Sequence, residues 1–379
     1  MERCRSGRTG QSRKLLYSLW VPRVRIPPSP QVTLYKSFVK YFSYLFLILF
    51  LLFICCFLAV LFTGNARIPL HNIIEILFTG QSPVEQWITI VRDYRLPKAI
   101  TAVLAGMALS VSGLQMQTVF RNPLAGPYVL GISAGASLGV AVMMMGAGLT
   151  AGYITGAPAN WMKVIASFVG ASAVLFLIFS VSLRIRDVMT ILILGMMFGS
   201  VTSSLISVLQ YFSNENVLKT FTVWTMGSLD GVTLPQLKTL TPCVVCGLLV
   251  SLFTVKALNV MLLGENYARS LGVNIIASRL LIFFSTGILA GSVTAFCGPI
   301  GFVGIAVPHI CRMIFRTADQ RILLAGSILT GAIVMLVSAL ITLLPGGGTV
   351  LPVNSVTAFI GVPVIIWIVV RNHKMASLM

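Results

Sequence analysis

Residues 41–62, YFSYLFLILFLLFICCFLAVLF, form 22 consecutive positions without a charged side chain. A helix of about 20 apolar residues spans the roughly 30 Å hydrocarbon core of a bilayer, where the backbone must satisfy its own hydrogen bonds. The whole chain has this character, since 57% of its 379 residues are apolar and 9% are charged. Soluble domains carry about a quarter charged residues, so lipid must solvate this chain. The sequence therefore predicts an all-α polytopic membrane protein.

Apolar runs separated by polar breaks predict about ten transmembrane helices. Before them, residues 1–35 form a basic leader, which we expect to be disordered or to precede the true start of the protein. Residues 36–371 form the transmembrane domain, and residues 372–379 form a cytoplasmic tail. The predicted spans are 38–63, 98–118, 128–149, 161–183, 188–212, 235–258, 276–297, 300–316, 322–344 and 353–370.

Lysine and arginine residues orient these predicted helices. Nine of the 27 Lys and Arg residues lie within residues 1–40, and Arg371 and Lys374 follow the last span. Basic residues favour the cytoplasmic side, so both tails are predicted to be internal. A net charge of +18 can also indicate nucleic-acid binding, but the topology accounts for it here, and no nucleic-acid partner is predicted. The internal loops are then 119–127, 184–187, 259–275 and 312–321.

Two segments suggest an inverted internal repeat. VLAGMALSVSG (103–113) and ILAGSVTAFCG (288–298) share Leu-Ala-Gly and a glycine seven residues later. They lie in the second and seventh predicted spans, and an offset of five spans reverses the direction through the membrane. Many transporters are built from such repeats, with the substrate pathway at the repeat interface. Small residues at helix crossings explain the same glycines without a transport role.

The sequence lacks residues that drive transport. It contains no G-x-x-x-x-G-K-[ST] phosphate-binding motif, so we do not expect the chain to hydrolyse ATP. No ionisable residue is predicted near the middle of a span, where ion-coupled carriers usually keep a proton relay. No nucleophile–base pair or metal-ligand cluster is recognisable, and His71, His309 and His373 are far apart. We therefore predict no catalytic or metal site, and we expect another subunit to supply the energy.

Four segments resemble the permease subunits of ATP-binding-cassette importers for ferric siderophores, haem and cobalamin. The resemblance covers roughly residues 40–371, in the order of the family's motifs. It implies ten helices per subunit, a second permease copy in a homodimer, two cytoplasmic ATPases and an external substrate-binding protein. ATP and Mg²⁺ would bind the ATPases, and no cofactor is expected on this chain. The segments are RLPKAITAVLAGMALSVSGLQMQTVFRNPLAGPYVLGISAGAS (95–137), LGENYARSLGVN (263–274), GPIGFVGIAVPHICR (298–312) and LPVNSVTAFIGVPVIIWIVVR (351–371).

The resemblance assigns the polar segment 263–274 to ATPase docking. A short helix is expected there, closed by Gly272 in the left-handed conformation. Glu265 and Arg269 have the i,i+4 spacing of an ion pair that stiffens a helix. A stiff loop transmits closure of the ATPases to the spans as a rigid-body movement; the alternative is an ordinary solvated loop. The residues that match the docking motif are Gly264, Glu265, Arg269, Leu271 and Gly272.

The resemblance also places a cytoplasmic gate at RNPLAG, residues 121–126. Pro123 restricts Asn122 to an extended conformation. Leu124 is then expected to project into the pathway, where an apolar constriction closes a pore by excluding water. The segment RDVMT, 186–190, lies where the family has its other gate loop, and its candidate residues are Val188 and Met189. The alternative for both segments is a tight turn without a gating role.

Arg95 and Lys98 precede the second span on the predicted outer side. In relatives, basic residues at this place meet acidic residues of the binding protein, and such pairs set orientation and association rate. The alternative is an interfacial pair that anchors the end of the helix.

Together these features predict a membrane-spanning importer permease of the bacterial inner membrane, in contact with lipid. We expect it to carry an iron chelate, either a ferric siderophore or haem, or else cobalamin. Transport would proceed by alternating access driven by separate ATPases. The alternative is a secondary transporter driven by an ion gradient, which would move solute without nucleotide.

Overall fold

The computed structural model describes residues 30–64, 66–146, 157–185, 187–344 and 350–376. Residues 1–29 of the predicted leader and residues 377–379 of the predicted tail lie outside this part. The chain divides into two compact units, residues 1–45 and residues 46–379. The candidate site lies in the second unit. In the first unit the described residues are helical, so the last residues assigned to the leader begin a helix.

All regular structure in the described residues is helical. The α-helices are connected by loops and by short π-helical and 3-10 segments at Ile90–Arg95, Pro127–Leu130 and Val142–Gly146. They are α1 Pro30–Phe62, α2 Leu70–Thr79, α3 Glu85–Thr89, α4 Leu96–Val119, α5 Ile132–Ala141, α6 Ala157–Arg184, α7 Val188–Tyr211, α8 Glu215–Thr225, α9 Leu234–Leu262, α10 Glu265–Ser270, α11 Ile275–Cys297, α12 Val303–Phe315, α13 Gln320–Ile341 and α14 Val353–Ala376.

The helices agree with the prediction of about ten spans. Within the described part of the chain, seven helical stretches are long and apolar enough to cross a membrane. Three shorter apolar helices, 132–146, 303–315 and 353–367, coincide with the third, eighth and tenth predicted spans. A further short apolar helix, α2, was not predicted, because its ten residues are too few to register as a span.

Three helices form the centre of the bundle. In the most apolar part of each helical stretch, the buried share of residues is 83% for Glu85–Val119, which contains α4, 72% for α11 and 67% for α13. For the other long apolar helices it is only 22–33%. Glycines let α4 approach its neighbours closely. A Cβ at Gly106 would lie 2.1 Å from the carbonyl oxygen of Gly331 in α13, and a Cβ at Gly113 would lie 1.7 Å from that of Gly304 in α12. Both crossings therefore require glycine.

The two copies of the predicted repeat use their shared glycines differently. Helix α4 ends, and α11 begins, at the same end of the bundle, so the two run in opposite directions as an inverted repeat requires. Gly106 and Gly113 serve helix crossings in the first copy. In the second, Gly298 has φ +75° and ends α11, and a Cβ there would lie 2.4 Å from the Trp224 carbonyl oxygen. Gly291 makes only ordinary contacts, the nearest at 3.7 Å to Ala171 Cβ.

A buried amide connects three of the spans. The Gln115 Nε2 donates to Thr254 Oγ1 at 3.2 Å, and Thr286 Oγ1 donates to Gln115 Oε1 at 3.1 Å. Each of the three side chains is at most 1% exposed. Polar groups at this depth are costly to separate, because no water replaces the lost hydrogen bond. Helices α4, α9 and α11 are therefore held together inside the membrane.

Candidate functional site

The predicted internal loops meet at one end of the bundle, which we call the inner end. The end of α4, the start of α7 and the loop after α9 surround a cleft of about 650 Å³. Both predicted gate segments and the predicted docking loop therefore adjoin one space. The residues lining it are Val119, Phe120, Arg121, Asp187, Met189, Leu263, Gly264, Glu265, Asn266 and Tyr267.

The predicted docking loop, residues 263–274, contains the expected short helix, α10, which is closed at Gly272 as expected. The Gly272 N–H donates to the Arg269 carbonyl at 3.0 Å, and the Val273 N–H donates to the Ala268 carbonyl at 3.0 Å. Gly272 has φ +79°. These paired bonds around a left-handed residue form a Schellman motif, which fixes where the helix stops.

The start of α10 is fixed by a second glycine. Gly264 has φ +122° and ψ 146°, a conformation that only glycine adopts readily. Ala268 faces inward and is fully buried, whereas Leu263, Tyr267 and Leu271 are 67%, 52% and 56% exposed. A rigid turn that exposes large apolar side chains is typical of a protein-binding surface.

Glu265 forms an ion pair with Arg279 of α11. The prediction that Glu265 pairs with Arg269 is wrong, because the ion pairs among the described residues do not include Glu265–Arg269. Arg279 is only 3% exposed, and a buried guanidinium requires a charged or polar partner. An exposed i,i+4 pair with Arg269 would contribute only a few tenths of a kcal/mol. Glu265 therefore pairs with Arg279, whose buried charge needs a partner more. The ion pair connects α10 to the seventh predicted span.

The predicted gate segment after α4, residues 121–126, is a tight turn connected to two other elements. The Leu124 N–H donates to Asn122 Oδ1 at 2.9 Å, and the Ala125 N–H donates to the Asn122 carbonyl at 3.1 Å. His309 Nε2 in α12 donates to the Pro123 carbonyl at 2.8 Å. Leu124 is 44% exposed, so it is available to a neighbouring apolar surface.

Arg121 links the predicted gate turn to the end of α9, directly before the predicted docking loop. Its Nη2 donates to the Met261 carbonyl at 2.8 Å, at the end of α9. Arg121 has φ +46°, a left-handed conformation that is strained for a residue with a side chain. Such strain is tolerated where the surrounding contacts hold the residue. The turn and the docking loop are therefore mechanically connected.

The second gate segment forms the start of α7. Asp187 caps this helix, accepting hydrogen bonds from the Thr190 hydroxyl at 2.5 Å and the Thr190 N–H at 2.8 Å. The hydrogen bond from the Thr190 hydroxyl, and to a smaller extent that from the Thr190 N–H, stabilises the carboxylate and so lowers the pKa of Asp187. Val188 is the first residue of α7, and Met189 is 51% exposed and lines the inner cleft.

Sequence reasoning missed three residues of this region: Arg121, His309 and Arg279. His309 lies in the middle of α12, so the prediction that no ionisable residue lies near the middle of a span is wrong. Its ring nitrogen is occupied by the gate turn. The sequence did offer a signal for His309 and Arg279, since each is an ionisable side chain inside an apolar run. Such residues in membrane helices usually have a specific partner.

The outer end of the bundle buries both predicted binding-protein contacts. Arg95 is 6% exposed, and its guanidinium donates to the carbonyls of Leu61, Phe62 and Ala66 at 3.0, 3.2 and 2.5 Å. Lys98 is 7% exposed, and its Nζ lies 2.8 Å from Asp230 Oδ1. This geometry favours the alternative role, in which the two side chains anchor the helix end.

Replacing Arg95 with alanine should destabilise the protein by about 3 kcal/mol, because three carbonyls at the end of α1 and beyond it lose their donor. The apparent unfolding midpoint of the detergent-purified protein measures this. Arg92→Ala, an exposed neighbour, is the control and should leave the midpoint unchanged. An unchanged midpoint in Arg95→Ala, together with weaker docking of the binding protein, would instead support the contact role.

Comparison with known proteins gives a consistent result. The model of the FecCD transport family matches residues 50–371. A protein of Methanocaldococcus jannaschii, described as an ABC transporter permease protein, is 30% identical over 86% of this chain and 97% of its own length. The vitamin B12 import system permease protein BtuC of Salmonella typhi is 33% identical over 76% of this chain and 90% of its own. The hemin transport system permease protein HmuU of Yersinia pestis is 32% identical over 75% and 84%.

A solved structure has the same fold. It is described as an inward-facing conformation of a metal-chelate type ABC transporter, and it superposes with a TM-score of 0.76 at 25% identity, over 87% of this chain and 99% of that one. The residues matched by the family model, 50–371, include the inner loops that carry the candidate site. The chain therefore belongs to the FecCD transport family and is a multi-pass permease of the bacterial inner membrane.

Proposed function

We propose that this chain is the membrane-spanning subunit of an ATP-driven importer of a metal chelate, namely a ferric siderophore, haem or cobalamin. The observation that carries the proposal is the fixed turn at 264–272, which exposes apolar side chains and is joined to the gate turn through Arg121. The chain has relatives that import vitamin B12 and hemin, and a structural neighbour of metal-chelate type, which supports this class of substrate.

The proposed assembly contains two copies of this chain, two cytoplasmic ATPases and an external binding protein. ATP and Mg²⁺ bind the ATPases, whereas this chain carries no cofactor and performs no catalysis. Leu263, Tyr267 and Leu271 contact the ATPase surface. Since Arg95 and Lys98 are buried, exposed basic residues near them, such as Arg67 and Arg92, are better placed to meet an acidic surface of the binding protein.

Two contacts carry movement of the docking turn into the membrane. The Glu265–Arg279 pair joins it to α11, and the Arg121 bond to the Met261 carbonyl joins the loop region to the gate turn. The Gln115 contacts keep α4, α9 and α11 moving together. A rigid body of this kind alternates between two packing arrangements rather than deforming gradually. Closure of the ATPases would thereby reposition Leu124 on the gate turn and Met189 at the inner cleft.

Ligand-dependent ATP hydrolysis tests the proposed substrate class. The complete importer is placed in nanodiscs, and the ATPase rate is measured with binding protein loaded with a ferric siderophore, haem or cobalamin. We expect one chelate to stimulate the rate several-fold over unloaded binding protein, because only the matching complex docks productively. If none of the three changes the rate, the proposed substrate class is wrong.

A further inference from the structure

A second cleft at the inner end, which shares Arg121 with the first, has an unusual charge. It encloses about 480 Å³ between the end of α4, the end of α12 and the start of α13. Arg121, Arg312 and Arg316 line it, and none of the acidic side chains in the described ranges does. Three guanidinium groups around one cleft form a strongly positive site unless an anion neutralises them.

Gln320 at the base of this cleft is the second observation. The residue is 1% exposed and lines the cleft, yet its Oε1 has no hydrogen-bond partner among the described residues. Its backbone N–H donates to Asn259 Oδ1 at 2.8 Å, so the position of the residue is fixed. A side-chain amide offers an NH₂ donor as well as its oxygen, and rotation about its last bond exchanges the positions of the two. With its NH₂ group turned to a cleft that three arginines also line, this buried amide is suited to a ligand with several acceptor oxygens.

The arginines retain donors for such a ligand. Arg312 Nη1 donates to Gln117 Oε1 at 2.5 Å, and Arg121 Nη2 donates to the Met261 carbonyl. Each guanidinium has five N–H donors in a planar fork, so each of these bonds uses a minority of them. Arg316 has φ +49° and ends α12 in the left-handed conformation, as Arg121 does after α4. Two strained arginines at one cleft indicate that their placement matters.

The neighbouring acidic group is occupied elsewhere. Asp319 Oδ1 accepts from Asn259 Nδ2 and from the Arg321 N–H, both at 2.9 Å, and so caps α13. The N-terminus of this 22-residue helix adds positive potential at the cleft. Asp319 keeps its negative charge and offsets one of the three arginines, so the cleft retains a net positive charge from the guanidinium groups.

We propose that this cleft binds a phosphate group, which the guanidinium forks and the Gln320 amide hold together. Two sources present that chemistry at the inner membrane surface: the headgroup of an anionic phospholipid, and free phosphate. A bound phosphate would connect Arg121 with α12 and α13. Since Arg121 also holds the Met261 carbonyl, occupancy stabilises one position of the gate turn. The site acts independently of the identity of the transported chelate.

The test compares binding in the purified full-length chain and in two variants. Arg316→Asn removes a guanidinium while keeping a residue that tolerates the left-handed conformation, and Gln320→Leu removes the amide. Arg321→Gln, an exposed arginine that does not line the cleft, is the matched control. One arm measures retention of phosphatidylglycerol against phosphatidylcholine by native mass spectrometry. The other measures binding of radiolabelled inorganic phosphate in phosphatidylcholine nanodiscs.

We expect Arg316→Asn and Gln320→Leu each to weaken phosphate-group binding about tenfold, the effect of losing one charge-assisted hydrogen bond, with unchanged apparent unfolding midpoints. Loss in the lipid arm alone identifies a headgroup site, and loss in the inorganic arm identifies a site for free phosphate. Equal binding in Arg316→Asn and Arg321→Gln would overturn the proposal. So would unchanged phosphate binding combined with lost co-purification of the ATPase, since the cleft would then be a protein contact.

Discussion

Replacing Gly113 with valine is expected to abolish the folded protein. The first added carbon would lie 1.7 Å from the Gly304 carbonyl oxygen, and 2.7 Å from the Gly304 Cα. Both obstacles are backbone atoms of α12, so no side-chain rotation relieves the overlap. Helix α12 would have to move away from α4 and would lose the contact between His309 and the gate turn. We expect a loss of about 4 kcal/mol or more, at the upper end of single-substitution effects.

Size-exclusion chromatography of a fluorescently tagged protein measures the folded yield. Gly231→Ala is the matched control: Gly231 is exposed, and no heavy atom lies within 4 Å of the position its Cβ would occupy. We expect this variant to elute as the unaltered protein does. A monodisperse peak of normal height for Gly113→Val would show that α4 and α12 are not in close contact, and the described packing would be wrong.

Reversing the charge of Glu265 is expected to uncouple ATP hydrolysis from uptake while the permease remains inserted. Glu265→Arg removes the partner of buried Arg279 and places a second guanidinium beside it. Leaving that buried charge unpaired and repelled costs several kcal/mol. Helix α10 would then detach from α11. Uptake by the reconstituted importer should fall at least about tenfold, whereas ATP hydrolysis should become insensitive to the loaded binding protein.

Two further variants make this result specific. The exchange Glu265→Arg with Arg279→Glu restores opposite charges and should recover part of the uptake. Glu215→Arg changes an exposed glutamate at the first position of another short helix, α8, and should leave uptake unchanged. Gly272→Pro provides an independent perturbation of the docking turn, since proline cannot adopt φ +79° or donate to Arg269. Coupled uptake in both Glu265→Arg and Gly272→Pro would show that the loop is not the ATPase contact.

The spans were predictable because their signal is local and strong. A charge-free run such as 41–62 has no soluble alternative, and each predicted span coincides with a helix. The closing glycine of the docking turn was predictable for the same reason: the left-handed position after a short helix favours glycine whatever lies around it. The turn at Asn122 and Pro123 also follows from local chemistry.

The contacts of charged residues were not predictable from local spacing. The sequence offers Glu265 a partner four residues away, but the partner in the structure is Arg279, whose burial makes the pair more important than an exposed one. Arg95 was expected to face a partner protein, and it instead satisfies carbonyls about 30 residues earlier in the chain. The Pro123–His309 contact joins residues 186 positions apart. Desolvation of a charge depends on which helices meet, and a single sequence does not contain that information.

Uptake into sealed proteoliposomes tests most directly whether this permease depends on a separate source of energy. Vesicles containing the permease alone are compared with vesicles that also contain the ATPases, with ATP on the ATPase side and loaded binding protein on the other. A proton or sodium gradient is then applied to each in the absence of nucleotide. We predict that the chelate accumulates only in vesicles that contain both the permease and the ATPases and are supplied with ATP. An ion gradient without nucleotide should drive no accumulation in either kind of vesicle. Accumulation by the lone permease under an ion gradient would contradict the assignment.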